Sequence, residues 1–153
     1  MMRVFRLSKR KYSGELNGKG AAKSSNRWNS KGTEIIYTAE SRALAMAEVA
    51  VHLSLATLPT DYVMMEIEIS KTIKIKTVDS TTLNRSWNSN PPTTETQKIG
   101  DVFIESGKTA VLKVPSAVVK GDFNYLIHPH HSDFKKIKII SISDFPFDNR
   151  LFS

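Results

Sequence analysis

Cysteine is absent from the 153-residue sequence, which removes disulfide frameworks and thiol nucleophiles together. No apolar run approaches the roughly 20 residues needed to span a bilayer. The start, Met1-Met2-Arg3-Val4-Phe5-Arg6-Leu7, lacks the long apolar stretch of a secretory signal. The expectation is a soluble, cytoplasmic protein. Aromatic residues make up 8% and are not interleaved with the basic ones, which argues against a stacking platform for single-stranded nucleic acid. The G-x-S-x-G elbow and the P-loop are missing. Gly14, Gly18 and Gly20 have no strand at the right distance before them, so they do not make a Rossmann turn. Repeats, low-complexity tracts and domain linkers are also missing.

Acidic residues are in short supply. Fifteen Asp and Glu face 22 Lys and Arg, giving a formal charge of +7. That balance favours an anionic partner: nucleic acid, a phosphorylated small molecule or an acidic protein. The basic residues are mostly scattered, and the clusters Lys9-Arg10-Lys11 and Lys135-Lys136 with Lys138 read as solvated faces. With 40% hydrophobic residues, the chain has enough apolar material for one domain over residues 1–153.

Tyr62 to Ile69 gives the strongest period-2 signal, with Val63, Met65, Ile67 and Ile69 on one side and Met64, Glu66 and Glu68 on the other. Further strands are predicted at Val4–Leu7, Glu34–Thr38, Ile73–Lys76, Thr109–Val114, Asn124–Ile127 and Ile137–Ile142. Ser13–Asn26 and Asn84–Thr94 read as loops, and Gln97–Glu105 as a short helix. Leu58-Pro59-Thr60-Asp61 marks a break after the preceding helix. The Phe145-Pro146-Phe147-Asp148 tail is expected to pack back on the body. Strands outnumber helices without repeated βαβ units, so the class is α+β with a mostly antiparallel sheet and a few flanking helices.

The Ala-rich stretch after Ser41, a candidate N-cap, reads as a helix to about Leu55. Between Arg42 and Asp61 its only charged side chain is Glu48, which shares a helical face with Leu44, Val51 and Leu55. A lone carboxylate on an apolar helix is costly to bury without a partner. Either it meets a Lys or Arg as a structural ion, or it is held in a cleft to face positive charge developing in a reaction. In the second reading Arg27 and Tyr37 are its natural companions.

His128, His130 and His131 surround Pro129, but no cysteine and no helical pair of histidines completes a recognisable metal-ligand set, so no metal site is assigned. Ser116, after a strand and Pro115, either caps a turn or presents its hydroxyl at a sheet end.

These residues, taken in order, resemble the RES domain, the toxin half of a bacterial toxin–antitoxin pair, named for characteristic Arg, Glu and Ser residues. The resemblance covers nearly the whole chain. It runs through Phe5-Arg6, Arg27-Trp28-Asn29 with Gly32, Tyr37, and Ala43-Leu44-Ala45 leading to Glu48. It continues through Leu58-Pro59, Ile99-Gly100-Asp101, Val114-Pro115-Ser116-Ala117-Val118, Asn124-Tyr125-Leu126-Ile127, Pro129 with His131, and Phe147-Asp148 with Arg150. It departs at His128, where an Asn is expected before Pro129, and in the rather polar loop around Trp87.

The resemblance implies an ADP-ribosyltransferase-like fold with NAD as substrate and no separate cofactor. It implies cleavage of the nicotinamide–ribose bond with water or phosphate as acceptor, or transfer of ADP-ribose to a protein. It also implies an antitoxin with a helix-turn-helix domain that covers the site, so that nucleic acid is met only through that partner. In this chemistry Arg6 and Arg27 grip the pyrophosphate. Tyr37 stacks on the nicotinamide or ribose and donates its hydroxyl. Glu48 stabilises the ribose cation and holds the 2′-hydroxyl. Ser116 bonds the substrate or orients Glu48, and Asn124 is a further candidate for the same shell.

Overall fold

The computed structural model describes residues 1–53 and 60–152. Its frame is a seven-stranded sheet made of β1 (Met2–Lys9), β2 (Ile36–Ala39), β3 (Tyr62–Ile69), β4 (Ile75–Thr77), β5 (Val111–Pro115), β6 (Phe123–Ile127) and β7 (Ile137–Asp144). The spatial order is β4-β5-β6-β2-β1-β3-β7. All neighbours are antiparallel except β4 and β5 at one edge, which run parallel. The α+β class with a mostly antiparallel sheet therefore holds.

Alternation decides which side chains meet. On one face Val4, Val63, Met65, Ile67, Ile69, Val111 and Ile127 form a buried cluster. The other face carries two clusters side by side. Phe5, Leu7, Ala39 and Met64 pack with Leu44 and Ala45 of helix α2 (Arg42–Ala50). Leu112, Val114 and Leu126 pack with Trp28, Ile35 and Phe103, the last from helix α3 (Thr94–Ser106). The two helices thus cover the same face at different places.

Ser41 caps α2, its hydroxyl accepting from the Leu44 amide at 3.0 Å. The helix ends at Ala50, earlier than the Leu55 expected, and Leu55 and the Leu58-Pro59 break lie outside the described residues. The expected apolar companions of Glu48 also divide, since Leu44 is buried while Val51 is 58% exposed. Helix α3 is longer than expected, and it ends at Gly107 with φ 58°, a left-handed conformation that suits a residue without Cβ. The loop expected at Ser13–Asn26 contains one helical turn, α1 (Lys19–Ala22). The tail does fold back: Phe145 donates its amide to the Tyr62 carbonyl at 3.0 Å, and the Phe147 ring meets Tyr62 edge-on at 5.7 Å.

The His128–His131 turn is held by its own hydrogen bonds. His128 Nδ1 accepts from the His130 amide at 3.1 Å, so Nε2 carries the proton and donates to the Ile104 carbonyl at 3.0 Å. Burial pushes the His128 imidazole below its ordinary pKa. His131 Nδ1 caps the next turn by accepting from the Asp133 amide at 3.0 Å, and His130 Nε2 faces Glu34 at 3.4 Å. The rings are therefore turned to separate partners.

Candidate active site

Between α2 and the Asn26–Trp28 segment the sheet face opens into a cavity of about 550 Å³, within the range of small-molecule sites. Phe5, Leu7, Tyr37, Ala39 and Asn124 form its floor, and Arg6, Arg27, Glu48, Val49 and His52 stand around it. Helix α1 and the segment after it add Gly20, Ala21 and Ser25, and the loop before α3 adds Asn90 and Pro92. The polar loop of residues 13–26 and the Pro91-Pro92 loop both contribute to the wall.

Glu48 sits in the last turn of α2, half-buried. Ser116 Oγ donates to Glu48 Oε1 at 2.8 Å. Ser116 Oγ in turn accepts from the amides of Val118 at 3.1 Å and Val119 at 3.0 Å. A hydroxyl has one proton and two lone pairs, so Ser116 caps its turn and holds the carboxylate at once. Both readings of Ser116 are thus realised by one atom. Among the described residues no cation lies within ion-pair distance of Glu48.

The two arginines reach the cavity by different routes. β1 and β2 are paired at Phe5–Ala39 alone, and beside this short contact Arg6 Nη1 donates to the Tyr37 carbonyl at 2.8 Å. Arg27 Nη1 donates to the carbonyls of Trp87 and Ser89, both at 3.0 Å. Each uses one nitrogen for backbone, and a guanidinium has five N–H groups. Among the described residues their other donors have no partner. Burial pushes both guanidinium groups below their ordinary pKa, and for Arg27 the nearby Glu48 carboxylate acts in the opposite direction.

Tyr37 lines the cavity with its ring, but its hydroxyl is engaged elsewhere. It donates to Asn29 Oδ1 at 2.6 Å and accepts from the Trp28 amide at 3.0 Å. The single phenolic proton is therefore directed to Asn29 rather than into the cavity. Burial holds the phenol well above its ordinary pKa, so it stays protonated at neutral pH. Asn124 Nδ2 donates to the Thr38 carbonyl at 3.2 Å and the residue lines the floor.

Arg6, Arg27, Tyr37, Glu48 and Asn124 thus line one cavity, with Ser116 one hydrogen bond behind Glu48. Sequence reasoning missed the Trp87–Pro92 loop, because backbone carbonyls leave no residue-type signal. It also missed His52, which lies in the turn just beyond α2, four residues after Glu48.

Residues 2–148 match the RES domain. A protein named Toxin Res from Photorhabdus laumondii subsp. laumondii is 36% identical over 152 residues, covering 98% of this chain and 97% of that one. The Prs ADP-ribosylating toxin of Sphingobium sp. (strain YBL2) is 35% identical over 139 residues, covering 90% and 86%. In the crystal structure of the M. tuberculosis MbcT-MbcA toxin–antitoxin complex, one chain superposes with a TM-score of 0.75 at 18% identity, over 95% of this chain and 84% of that one. At that identity the superposition speaks for the fold, while the sequence matches speak for descent: the chain belongs to the RES domain family.

Proposed function

We propose that the chain is the toxin of a toxin–antitoxin pair and that it consumes NAD by breaking the nicotinamide–ribose bond. The observation that carries the reading is the Glu48 carboxylate, oriented by Ser116 at 2.8 Å, beside a cavity that also receives Arg6 and Arg27. Two guanidinium groups suit a pyrophosphate. An oriented carboxylate, with no cation against it among the described residues, suits a developing ribose cation.

The step balances without a further reagent. The bond between ribose C1′ and the nicotinamide nitrogen breaks, and its electron pair leaves with nicotinamide, which becomes neutral. Positive charge spreads over C1′ and the ring oxygen, facing Glu48. An acceptor oxygen, from water or phosphate, then bonds to C1′ and its proton passes to solvent. Tyr37 supplies a ring for stacking, and Asn124 a polar group on the floor.

A second reading uses the same site with a protein as acceptor. Its support is the similarity to a relative named an ADP-ribosylating toxin. Incubation with NAD alone separates the two. Nicotinamide release without any protein acceptor supports glycohydrolase or phosphorylase chemistry. Release only with cell extract, together with a labelled protein band, supports transfer. Intact NAD under both conditions contradicts the proposal. Tight binding of nucleic acid at physiological salt, falling steeply as salt rises, would then favour a basic nucleic-acid-binding protein.

The partner in this reading is an antitoxin with a helix-turn-helix domain, which occludes the cavity by placing acidic or terminal groups beside Arg6 and Arg27. The fold neighbour was itself solved as a toxin–antitoxin complex. Co-expression with the cognate antitoxin should restore growth, and the purified complex should not release nicotinamide. Full activity in the complex contradicts occlusion.

A further inference from the structure

Helix α3 does more than cover the sheet. Gln97, Gly100 and Asp101 are spaced three and four apart and share one face. Each meets the same turn. Gln97 Nε2 donates to the Asn26 carbonyl at 3.0 Å. A Cβ on Gly100 would stand 1.5 Å from the Trp28 carbonyl oxygen, so only glycine permits this approach. Asp101 Oδ1 accepts from the Ser30 amide at 3.0 Å, and Oδ2 accepts from the Ser30 hydroxyl at 2.5 Å.

The turn is fixed from its other side as well. Asn26 and Asn29 are joined by a backbone bond of 2.8 Å, and Asn29 Nδ2 donates to the Ala21 carbonyl at 2.9 Å. The Tyr37 hydroxyl takes Asn29 and Trp28. Residues 26, 28, 29 and 30 are therefore each held. Asn26 and Trp28 also border the cavity, but Arg27 is the member of the turn whose side chain both lines it and reaches the Trp87 and Ser89 carbonyls.

A carboxylate is a costly choice for simple packing. Helix α3 already has apolar anchors in Phe103, Ile99 and Ile104. What Asp101 adds is a two-point, charge-assisted grip on one residue, which fixes orientation as well as distance. Burial pushes its carboxyl up, but the hydrogen bonds from Ser30 and Thr33 outweigh that and hold it below its usual range.

We propose that Asp101, with Gln97 beside it, is a positioning residue for substrate: it acts through the Asn26–Ser30 turn to hold the Arg27 guanidinium in its phosphate-binding place. The proposal rests on the reading of the cavity as the NAD site. It places part of the substrate affinity on a helix that does not itself line the cavity.

The test measures NAD affinity by calorimetry in the full chain carrying Glu48→Gln, which binds NAD while turning it over about 10²–10³-fold more slowly. Asp101→Ala weakens binding by about tenfold, the scale of a misplaced binding group. Arg27→Ala weakens it at least as much, and the double variant is no weaker than Arg27→Ala alone, because Asp101 acts through Arg27. Asp101→Asn restores most of the affinity, since its oxygen still accepts from the Ser30 amide. With Glu48 in place, Asp101→Ala raises KM by the same factor and leaves kcat nearly unchanged. Should Asp101→Ala fail to fold, Ser30→Ala removes the hydroxyl contact alone and still weakens binding by roughly threefold.

Unchanged affinity in Asp101→Ala or Ser30→Ala, or losses that add to those of Arg27→Ala, overturns the proposal. A Glu48→Gln protein that binds no NAD overturns the reading of the cavity instead, and the proposal falls with it.

Discussion

Glu66 and Glu48 occupy comparable places in the sequence and contrasting surroundings in the molecule. Each is a glutamate in a largely apolar element, Glu66 in β3 and Glu48 in α2. Glu66 is surrounded by donors. Arg3 Nη1 lies at 3.0 Å, the Ser141 hydroxyl at 3.1 Å and Arg42 Nη2 at 3.6 Å. The Arg3 hydrogen bond, above all, holds its carboxyl below the usual range. Glu48 receives one neutral hydroxyl and stands beside the cavity. One carboxylate is neutralised where it sits, and the other is oriented without being neutralised. The difference distinguishes a carboxylate that ties elements together from one available to a cation that arrives. Arg42 links the two regions: it pairs with Glu66 while its guanidinium lies 4.5 Å from the centre of the Phe5 ring, whose residue lines the cavity.

The largest effect is expected at Glu48. Glu48→Gln keeps size, helix propensity and an acceptor for Ser116, but removes the charge. NAD turnover should fall by about 10²–10³, the scale of losing one electrostatic contact to a transition state. NAD binding should persist through Arg6 and Arg27. Near-normal nicotinamide release from this variant erases the contrast with Glu66.

Ser116→Ala should act next, and on both rate and fold. It frees Glu48 to rotate, so turnover should fall by roughly tenfold. It also leaves the Val118 and Val119 amides without their cap, costing about 1 kcal/mol in a urea or thermal melt. A stability loss with unchanged turnover reduces Ser116 to its capping role alone.

Glu66→Gln should show the reverse pattern. The melting temperature should drop modestly, more at low salt than at high salt, because the pairs are partly exposed. Turnover should stay close to the wild-type value. A large loss of turnover with an unchanged melting temperature would break the comparison from the other side.

The smallest effect concerns pH. His128 is neutral in the fold, and burial lowers its pKa, so the unfolded chain takes up its proton first as pH falls. Its contribution to stability is therefore complete above about pH 6.5 and is lost as pH falls below that value. Protonation also removes the Nδ1 acceptor of the His130 amide. His128→Asn should flatten the stability profile below about pH 6.5. An unchanged slope assigns that pH dependence to other groups.

Much of this was legible before any coordinates. The alternation in Tyr62–Ile69 defined strand β3, because a half-buried strand needs a period of two. The lone charge in the Ala-rich helix singled out Glu48, because burial makes such a charge expensive. The Ser116 hydroxyl pointed to two uses, and the fold combined them. Other parts carried no residue-type signal. Arg27 is held by carbonyls of Trp87 and Ser89, which any sequence supplies. The phenol of Tyr37 looked available to a ligand, yet the fold directs its proton to Asn29. Asp101 was visible only as part of the Ile99-Gly100-Asp101 match. Its purpose depends on a turn some 70 residues away, and long-range contacts of that kind are not written in local periodicity.

The most direct measurement takes two readings, melting temperature and nicotinamide released from NAD, on Glu48→Gln and Glu66→Gln side by side. The account predicts that Glu48→Gln loses turnover and keeps its melting temperature, while Glu66→Gln loses melting temperature and keeps turnover. A collapse of stability in Glu48→Gln, with turnover per folded molecule retained, would contradict it and make Glu48 a structural ion.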